Sequence, residues 1–151
     1  MKQFLLLTTI ILLSHYGNGQ NTQDHEDVKN VVNAFQKDYN NGFESAALYT
    51  TIDWEHINPE GGISKGRDSV LIDVRNVHQS FLKGVVMKIE KIEINFPLTD
   101  VAVANVIHKV SNYTTPDGVE HQNERQFKTY IVVKKNGKWL LFQDHATYIL
   151  D

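Results

Sequence analysis

The chain has 151 residues, with 15 basic and 18 acidic side chains, a formal net charge of −3 and no cysteine. The lack of cysteine excludes disulfides, thiol catalysis and cysteine-ligated zinc. The sequence also has no basic patch with interleaved aromatic residues, which argues against nucleic acid as a partner.

The first predicted element is an export signal. Lys2 precedes an apolar run, FLLLTTIILL, which is too short to cross a membrane as a helix. Two glycines, at the third and first positions before Gln20, provide the small residues that signal peptidases require. The sequence therefore predicts a cleaved signal peptide over residues 1–19 and one domain over residues 20–151. We expect that domain to be secreted or periplasmic, with no lipid-anchored cysteine and no membrane span.

Three helices are predicted after the signal. Apolar residues at three- and four-residue spacing indicate a helix over residues 24–39. Residues 43–49 form a short second helix in this interpretation. A third helix begins after Gly66, carries an apolar stripe and ends at Gly84.

The rest of the chain has the two-residue periodicity of strands. In VVMKIEKIEINF the apolar set shifts by one residue, which predicts a β-bulge near Glu90-Lys91 that curls the sheet. Three more strands follow, over residues 101–113, 124–134 and 138–150. Helices followed by a curled antiparallel meander indicate an α+β domain with its helices on one concave face.

The order of these elements, with the motifs at their joints, resembles the nuclear transport factor 2-like superfamily, and most closely its small bacterial SnoaL-like and SgcJ/EcaC-like branch. The matching motifs are NNGF, LYTTIDW, INPEGG, KGRDSV, HQSF and NGKWLLFQDHAT. The resemblance implies a cone-shaped fold in which three N-terminal helices pack on a curled antiparallel sheet around a pocket. The superfamily holds isomerases, cyclases, dehydratases and pure binding domains. The resemblance therefore implies where the pocket lies and leaves the reaction open.

The last hairpin supplies most of the predicted pocket residues. With Lys135-Asn136-Gly137 as a three-residue loop, one face pairs Val133 with Trp139, Ile131 with Leu141, Thr129 with Gln143 and Phe127 with His145. This face is apolar with two polar residues at its far end, as a ligand-binding cone requires. The resemblance also implies a pocket residue at His145, because the family carries His or Gln six residues after this Trp. On the opposite face we interpret Asp144 as a cross-strand partner of Lys128 rather than as a catalytic carboxylate.

The stretch IDWEHINPEGG supplies the other pocket residues. By strand alternation Ile52, Trp54 and His56 share the inward face, and the acidic residues between them point to solvent. In the resembled ketosteroid isomerases a carboxylate base comes from about this position, but here the inward polar residue is His56. No aligned Tyr and Asp pair is present to polarise a ketone. His56 and His145 are either an acid–base pair facing each other across the pocket or polar residues at its rim.

The other histidines are weaker candidates. We interpret His78 as a satisfied residue at the edge of the core rather than a ligand contact. His108 shares a strand face with Ala104 and Val106, and the sequence leaves open whether that face looks inward. No HxH or HxxxH pair occurs, so we predict no metal site, and we predict no cofactor.

Three functions fit this pattern. The first is an exported domain that binds a small, largely apolar molecule, through Trp54, His56, Phe127, Thr129, Trp139, Gln143 and His145. The second is a cofactor-free isomerase- or cyclase-like enzyme with His56 or His145 as general base. The third is a dimeric assembly module without a ligand. We expect a homodimer through an apolar patch on the outer sheet face, as the resemblance also implies, formed by Tyr130, Val132, Leu140 and Phe142.

Overall fold

The computed structural model describes residues 22–150, so the predicted signal peptide lies outside the described residues. It contains two α-helices, a short 3-10 turn (Ala46–Leu48) and eight strands. The helices are α1 (Thr22–Tyr39) and α2 (Arg67–Gln79). The strands are β1 (Thr50–Ile57), β2 (Ile63–Lys65), β3 (Met87–Leu98), β4 (Val101–Val110), β5 (Tyr113–Thr114), β6 (Glu120–His121), β7 (Arg125–Lys135) and β8 (Lys138–Tyr148). Within residues 22–150, neither helix combines the length and apolar character that crossing a membrane requires.

Six of the strands form one mixed sheet in the order β2-β1-β8-β7-β4-β3, and β5 pairs with β6 in a separate two-stranded hairpin. The meander from β3 through β4 and β7 to β8 is antiparallel, as predicted. The prediction of a wholly antiparallel sheet is wrong, because β1 runs parallel to β8. This pairing joins strands from opposite ends of the domain, and local sequence patterns carry no signal for such a contact.

The predicted second helix is reduced to the 3-10 turn. Phe43 has a φ of 61°, a left-handed backbone that interrupts helical geometry at its start. The Asp38 carboxylate then accepts hydrogen bonds from the Ser45 N–H at 2.9 Å and from the Tyr49 hydroxyl at 3.0 Å. One buried aspartate thus satisfies polar groups of this segment, and the strand begins at Thr50 before a full helical turn develops.

The core lies between α1 and the inner face of the sheet. The buried stripe of α1 follows its predicted apolar spacing, and consists of Val28, Val31, Val32 and Phe35. On β4, Ala104, Val106 and His108 are all fully buried, so this is the face that looks inward. The predicted bulge on β3 is confirmed, because the register with β4 shifts between Ile89 and Lys91.

The predicted register of the last hairpin is wrong. Lys135 pairs with Lys138, which leaves Asn136-Gly137 as a two-residue loop. Both loop residues have positive φ, 52° and 77°, as a type I′ turn requires. A second bulge follows, because Val132 pairs with Leu141 but Ile131 pairs with Gln143, so Phe142 has no partner across the hairpin. A two-residue loop combined with a bulge reverses the sequence-based face assignment along most of the hairpin.

The corrected inner face of the hairpin carries buried residues from both strands, namely Lys128, Tyr130, Val132, Trp139, Leu141, Asp144 and Ala146. The prediction that a side chain lies on the inner face is therefore correct for Trp139 and Leu141. It is wrong for residues that occupy the outer face, namely Phe127, Thr129, Ile131, Val133, Gln143 and His145.

Candidate functional site

A cavity of about 780 Å³ lies where α1 ends, bounded by α2, β1 and the β5–β6 hairpin. α1 stops at Tyr39, so beyond that point the inner sheet face is not covered by its side chains. Most of the wall is apolar, with Phe35, Tyr39, Phe43, Val74, Val77, Phe81 and Leu82. Several titratable side chains interrupt this wall, and they give the cavity its chemistry.

Asp144 is the centre of a polar cluster beside the cavity and is fully buried. Its Oδ1 accepts a hydrogen bond from Trp54 Nε1 at 2.8 Å. Its Oδ2 accepts one from His56 Nδ1 and one from Lys128 Nζ, each at 2.8 Å. Burial by itself raises the pKa of Asp144, but the charge of Lys128, that of His56 when this ring is protonated, and the hydrogen bonds from both side chains outweigh burial and hold that pKa well below its usual range. Asp144 is therefore an ionised carboxylate at neutral pH.

His56 connects this carboxylate to the cavity. A carboxylate only accepts hydrogen bonds, so in the neutral imidazole the proton lies on Nδ1 and Nε2 carries the lone pair. The side chain is 16% exposed and lines the cavity. Nε2 has no hydrogen-bond partner among residues 22–150. The geometry thus presents an oriented basic nitrogen to the cavity.

Lys128 places a positive charge at the same wall. Its side chain is only 4% exposed, and its Nζ lies 4.2 Å from the centroid of the Phe35 ring. The predicted ion pair with Asp144 is confirmed, but it lies on the inner face rather than the outer one. Because a buried ammonium is costly without a partner, the pair with Asp144 is what keeps this charge beside the cavity.

His78 on α2 contributes a second nitrogen. Its Nδ1 donates to the Val74 carbonyl at 2.7 Å, and its buried Nε2 has no partner among the described residues. Burial lowers the pKa of His78, and the positive charge of Lys128, with that of His56 whenever this ring is protonated, lowers it further despite the bond to Val74. His78 is therefore neutral, and its Nε2 is an unpaired acceptor at the cavity wall.

Phe43 fixes the ring of His78 from one side. Its left-handed φ of 61° is rare for a bulky residue, and backbone strain of this kind often accompanies functional sites. Arg75 holds the strained turn, because its Nε and Nη2 donate to the Phe43 carbonyl at 3.1 and 2.8 Å. The ring centroids of Phe43 and His78 lie 5.1 Å apart with edge-to-face geometry.

Among the predicted ligand-binding residues, only His56 lines the cavity. Trp54 is fully buried and supports Asp144. Trp139 packs away from the cavity, with its ring centroid 5.6 Å from that of Phe96. The predicted approach of His145 to His56 is wrong, because the hairpin bulge turns His145 outward with Phe127, Thr129 and Gln143.

The sequence interpretation missed Lys128 and His78 as cavity groups, and Asp144 as the buried carboxylate that holds Lys128 and His56. The available signal was the pairing of Lys128 with Asp144 inside an otherwise apolar hairpin, since a charged pair flanked by large apolar residues is often buried. His78 gave a weaker signal. Only the structure shows that one of its nitrogens is satisfied and the other is not.

Solved structures with the same architecture cover nearly the whole domain. A protein with a cystatin-like fold from Caulobacter vibrioides is 21% identical, with a TM-score of 0.81 over 85% of this chain and 91% of that one. A protein from Streptomyces avermitilis, provisionally assigned as a dehydratase of the nuclear transport factor 2-like family, is 18% identical with a TM-score of 0.70, over 86% and 99% of the two chains. This chain has the nuclear transport factor 2-like fold.

A third similar structure is a provisionally assigned scytalone dehydratase from Novosphingobium aromaticivorans, 15% identical with a TM-score of 0.69 over 89% of each chain. The sequence matches no protein-family model and no curated protein. The fold expected from the resemblance is therefore confirmed, with two helices and a mixed sheet in place of three helices and an antiparallel one. At identities this low, the structural similarity establishes the nuclear transport factor 2-like fold alone. The reaction has to be argued from the site.

Proposed function

We propose that the cavity is the active site of an enzyme that moves a proton on a small, largely apolar molecule, with His56 as general base. One observation carries the proposal. His56 Nδ1 is bonded to a buried, ionised Asp144, while Nε2 has no hydrogen-bond partner in the part of the chain that the structure describes, and the ring lines the cavity. The carboxylate fixes the tautomer and stabilises the imidazolium that forms when Nε2 accepts a proton.

Lys128 supports the same chemistry. When a base removes a proton from the carbon beside a carbonyl, negative charge develops on the carbonyl oxygen. The Lys128 ammonium stabilises such an oxyanion, and low-dielectric surroundings strengthen the interaction. His56 and Lys128 both contact Asp144, so the proton acceptor and the positive charge are held in a fixed relation.

The protonated His56 completes the reaction by returning its proton. In an isomerisation the proton goes to another carbon of the enolate. In a dehydration the electron pair of the enolate expels a neighbouring hydroxyl, which leaves as water with the proton from His56. Two similar structures are of proteins provisionally assigned as dehydratases, which agrees with the second course.

A binding domain without catalysis is the second candidate. The apolar wall formed by α1 and α2 favours it, because such a wall holds an apolar ligand without any proton transfer. The two candidates differ in what His56 does. Replacing a general base lowers the rate of reaction, whereas replacing a binding contact lowers affinity alone.

The test uses 5-nitrobenzisoxazole, a small aromatic probe whose ring opens to a coloured phenolate when a base removes its carbon-bound proton. We expect the protein to accelerate this reaction and His56→Gln to lower kcat/KM by about 100-fold or more. His145→Gln is the matched control, because His145 lies exposed on the outer face of β8. Equal rates for His56→Gln and the unmodified protein would leave the binding domain as the better candidate.

We also propose that the domain is exported and that its mature form begins at Gln20. The signal-like pattern of residues 1–19 supports this. N-terminal sequencing of protein from the native host is expected to start at or near Gln20. An intact Met1 on a soluble cytoplasmic protein would contradict it.

We propose that the protein forms a homodimer through the outer sheet face, with a different set of apolar residues from the set predicted. Tyr130 and Val132 belong to the core, whereas Leu140 and Phe142 are half-buried. The outer sheet face still carries large apolar groups beside these two, namely Val103, Ile107, Phe127, Ile131 and Val133. Pairing of two such faces would remove apolar surface from water. Phe142→Lys is expected to sediment as a folded monomer, and a monomeric unmodified protein at tens of micromolar would contradict the pairing.

A further inference from the structure

A second histidine–carboxylate pair lies at the same cavity, which its histidine lines. His121 on β6 places its Nδ1 2.5 Å from Glu124 Oε2. The Glu124 side chain is only 8% exposed. Its Oε2 also accepts a hydrogen bond from the Tyr113 hydroxyl at 3.0 Å, and its Oε1 accepts one from Gln126 Nε2 at 2.6 Å. Like Asp144, Glu124 is a poorly exposed carboxylate that accepts three hydrogen bonds, one of them from a histidine at the cavity wall.

The ring of His121 packs against two tyrosines. It stacks on Tyr113, with centroids 4.4 Å apart and an interplanar angle of 5°. The Tyr148 ring lies 5.8 Å away, at an interplanar angle of 32°. With Nδ1 fixed by Glu124, Nε2 is left without a hydrogen-bond partner among residues 22–150. His121 therefore resembles His56, because one ring nitrogen is held by a carboxylate and the other is available to a ligand.

The two histidines lie against well-separated positions of β8. His56 contacts Asp144, and His121 contacts Tyr148, which is four residues further along β8. Four residues of strand span about 13 Å. Between them the cavity floor is formed by the small residue Ala146, which leaves room for a ligand.

The charges around His121 disfavour an anionic ligand group. Glu124 lies behind His121, and the Tyr148 hydroxyl is hydrogen-bonded to the Glu60 carboxylate at the cavity wall. An anion would be repelled by both carboxylates, whereas an uncharged hydroxyl group is a suitable partner for the lone pair of His121 Nε2.

We propose that the cavity takes an elongated, uncharged molecule with an apolar body and a hydrogen-bonding group at each end, one at His56 and one at His121. This inference rests on the proposed function, because it names the substrate class of the same site. His121 is a specificity-determining residue in this scheme. Its distance from His56 keeps it away from the proton that is transferred.

The test compares three rod-shaped probes of one skeleton: biphenyl, 4-hydroxybiphenyl and 4,4′-dihydroxybiphenyl. We expect the dihydroxy probe to bind about fivefold more tightly than the monohydroxy probe, which is the net effect of one added hydrogen bond. His121→Phe keeps an aromatic ring between Tyr113 and Tyr148 but removes Nε2, so it is expected to abolish this gain. His145→Phe makes the same substitution on the outer face and is expected to preserve it.

A second measurement avoids any folding defect of the variant. In the unmodified protein, the dihydroxy probe is expected to shift the ¹⁵N resonances of Nε2 in His56 and His121 together. Equal affinities for the two hydroxylated probes, with the His121 resonance unmoved, would overturn this inference. The proposed function would still stand if His56 acts as a base on 5-nitrobenzisoxazole. If none of the three probes binds, both the inference and the proposed use of the cavity are wrong.

Discussion

Two clusters, each of an aspartate, a lysine and a tryptophan, lie along the last hairpin. In the first, Asp24 Oδ1 accepts hydrogen bonds from Lys134 Nζ at 2.6 Å and from Trp139 Nε1 at 2.8 Å. In the second, Asp144 accepts the corresponding bonds from a lysine and a tryptophan, each at 2.8 Å, and also holds His56. Nearly the same set of side chains therefore occurs twice, once with its aspartate on α1 and once with its aspartate on β8.

The two clusters differ in how deeply they are buried and in whether they lie beside the cavity. In the first, the Lys134 and Asp24 side chains are 32% and 16% exposed, and Asp24 belongs to the first turn of α1. That cluster ties the helix to the hairpin. The Asp144 cluster is buried and lies against the cavity, with a histidine between the carboxylate and the open space. A residue combination thus marks a site only when it is buried beside a space that a ligand can enter.

The largest effect that separates the clusters is expected in stability. Asp144→Ala leaves the Lys128 ammonium buried without a partner, and we expect it to lower the free energy of unfolding by about 3–5 kcal/mol. Asp24→Ala removes similar bonds from partly exposed groups and is expected to cost about 1 kcal/mol. Urea denaturation of both variants measures the two losses. Equal losses would erase the distinction between the clusters.

A buried histidine near the Asp144 cluster predicts a pH dependence of stability, and the charges of Lys128 and Asp144 both act on its pKa. His108 Nε2 is 2.8 Å from the Tyr130 hydroxyl, its Nδ1 is buried without a partner among the described residues, and burial lowers its pKa to about 3. Between that value and the unfolded pKa near 6.5, the unfolded chain binds the proton and the folded chain does not. Stability from this residue is therefore full above about pH 6.5 and is lost as the pH falls, by about 3 kcal/mol at about pH 4.

The matched variant is His108→Phe, which removes the titrating group. It is expected to be less stable than the unmodified protein at neutral pH, because the Tyr130 hydroxyl loses its partner. Its stability is expected to depend less on pH between about pH 6.5 and about pH 4. Parallel pH profiles of the two proteins, measured by urea denaturation, would show that His108 is not the source.

The two tryptophans give a smaller but more specific contrast. Trp54→Phe and Trp139→Phe each remove one indole hydrogen bond to an aspartate, and each is expected to cost about 1–2 kcal/mol of stability. Only Trp54→Phe is expected to slow the opening of 5-nitrobenzisoxazole, because only Trp54 positions the carboxylate that holds His56. An equal loss of rate in both variants would contradict the assignment of the site to the Asp144 cluster.

The fold was largely predictable from the sequence because its signals are local. The apolar spacing of α1 and the shift of the apolar set around Glu90 are each written in a short stretch, and both are confirmed. The parallel pairing of β1 with β8 was not predictable, because it joins residues about 90 positions apart along the chain, such as His56 and Asp144. Register between distant strands depends on the packing of the whole domain.

The site was less predictable because it depends on one bulge. Leu140, Leu141 and Phe142 are all apolar, so alternation in this stretch cannot show where the strand gains a residue. That extra residue places Asp144 inside and His145 outside. The same alternation worked for Trp54 and His56, and both lie on the inner side of β1. It was wrong for Ile52, which is 80% exposed, because the register of β1 with β8 shifts between Thr50 and Glu55.

The protonation of His56 in the unmodified protein tests the central claim most directly. ¹⁵N NMR of the neutral imidazole distinguishes a protonated ring nitrogen from one that carries a lone pair. We expect a proton on Nδ1, bonded to Asp144, and a lone pair on Nε2, whose resonance shifts when 4,4′-dihydroxybiphenyl is added. The opposite tautomer, with the proton on Nε2 and the lone pair on Nδ1, would contradict the role of His56 as the base of the cavity.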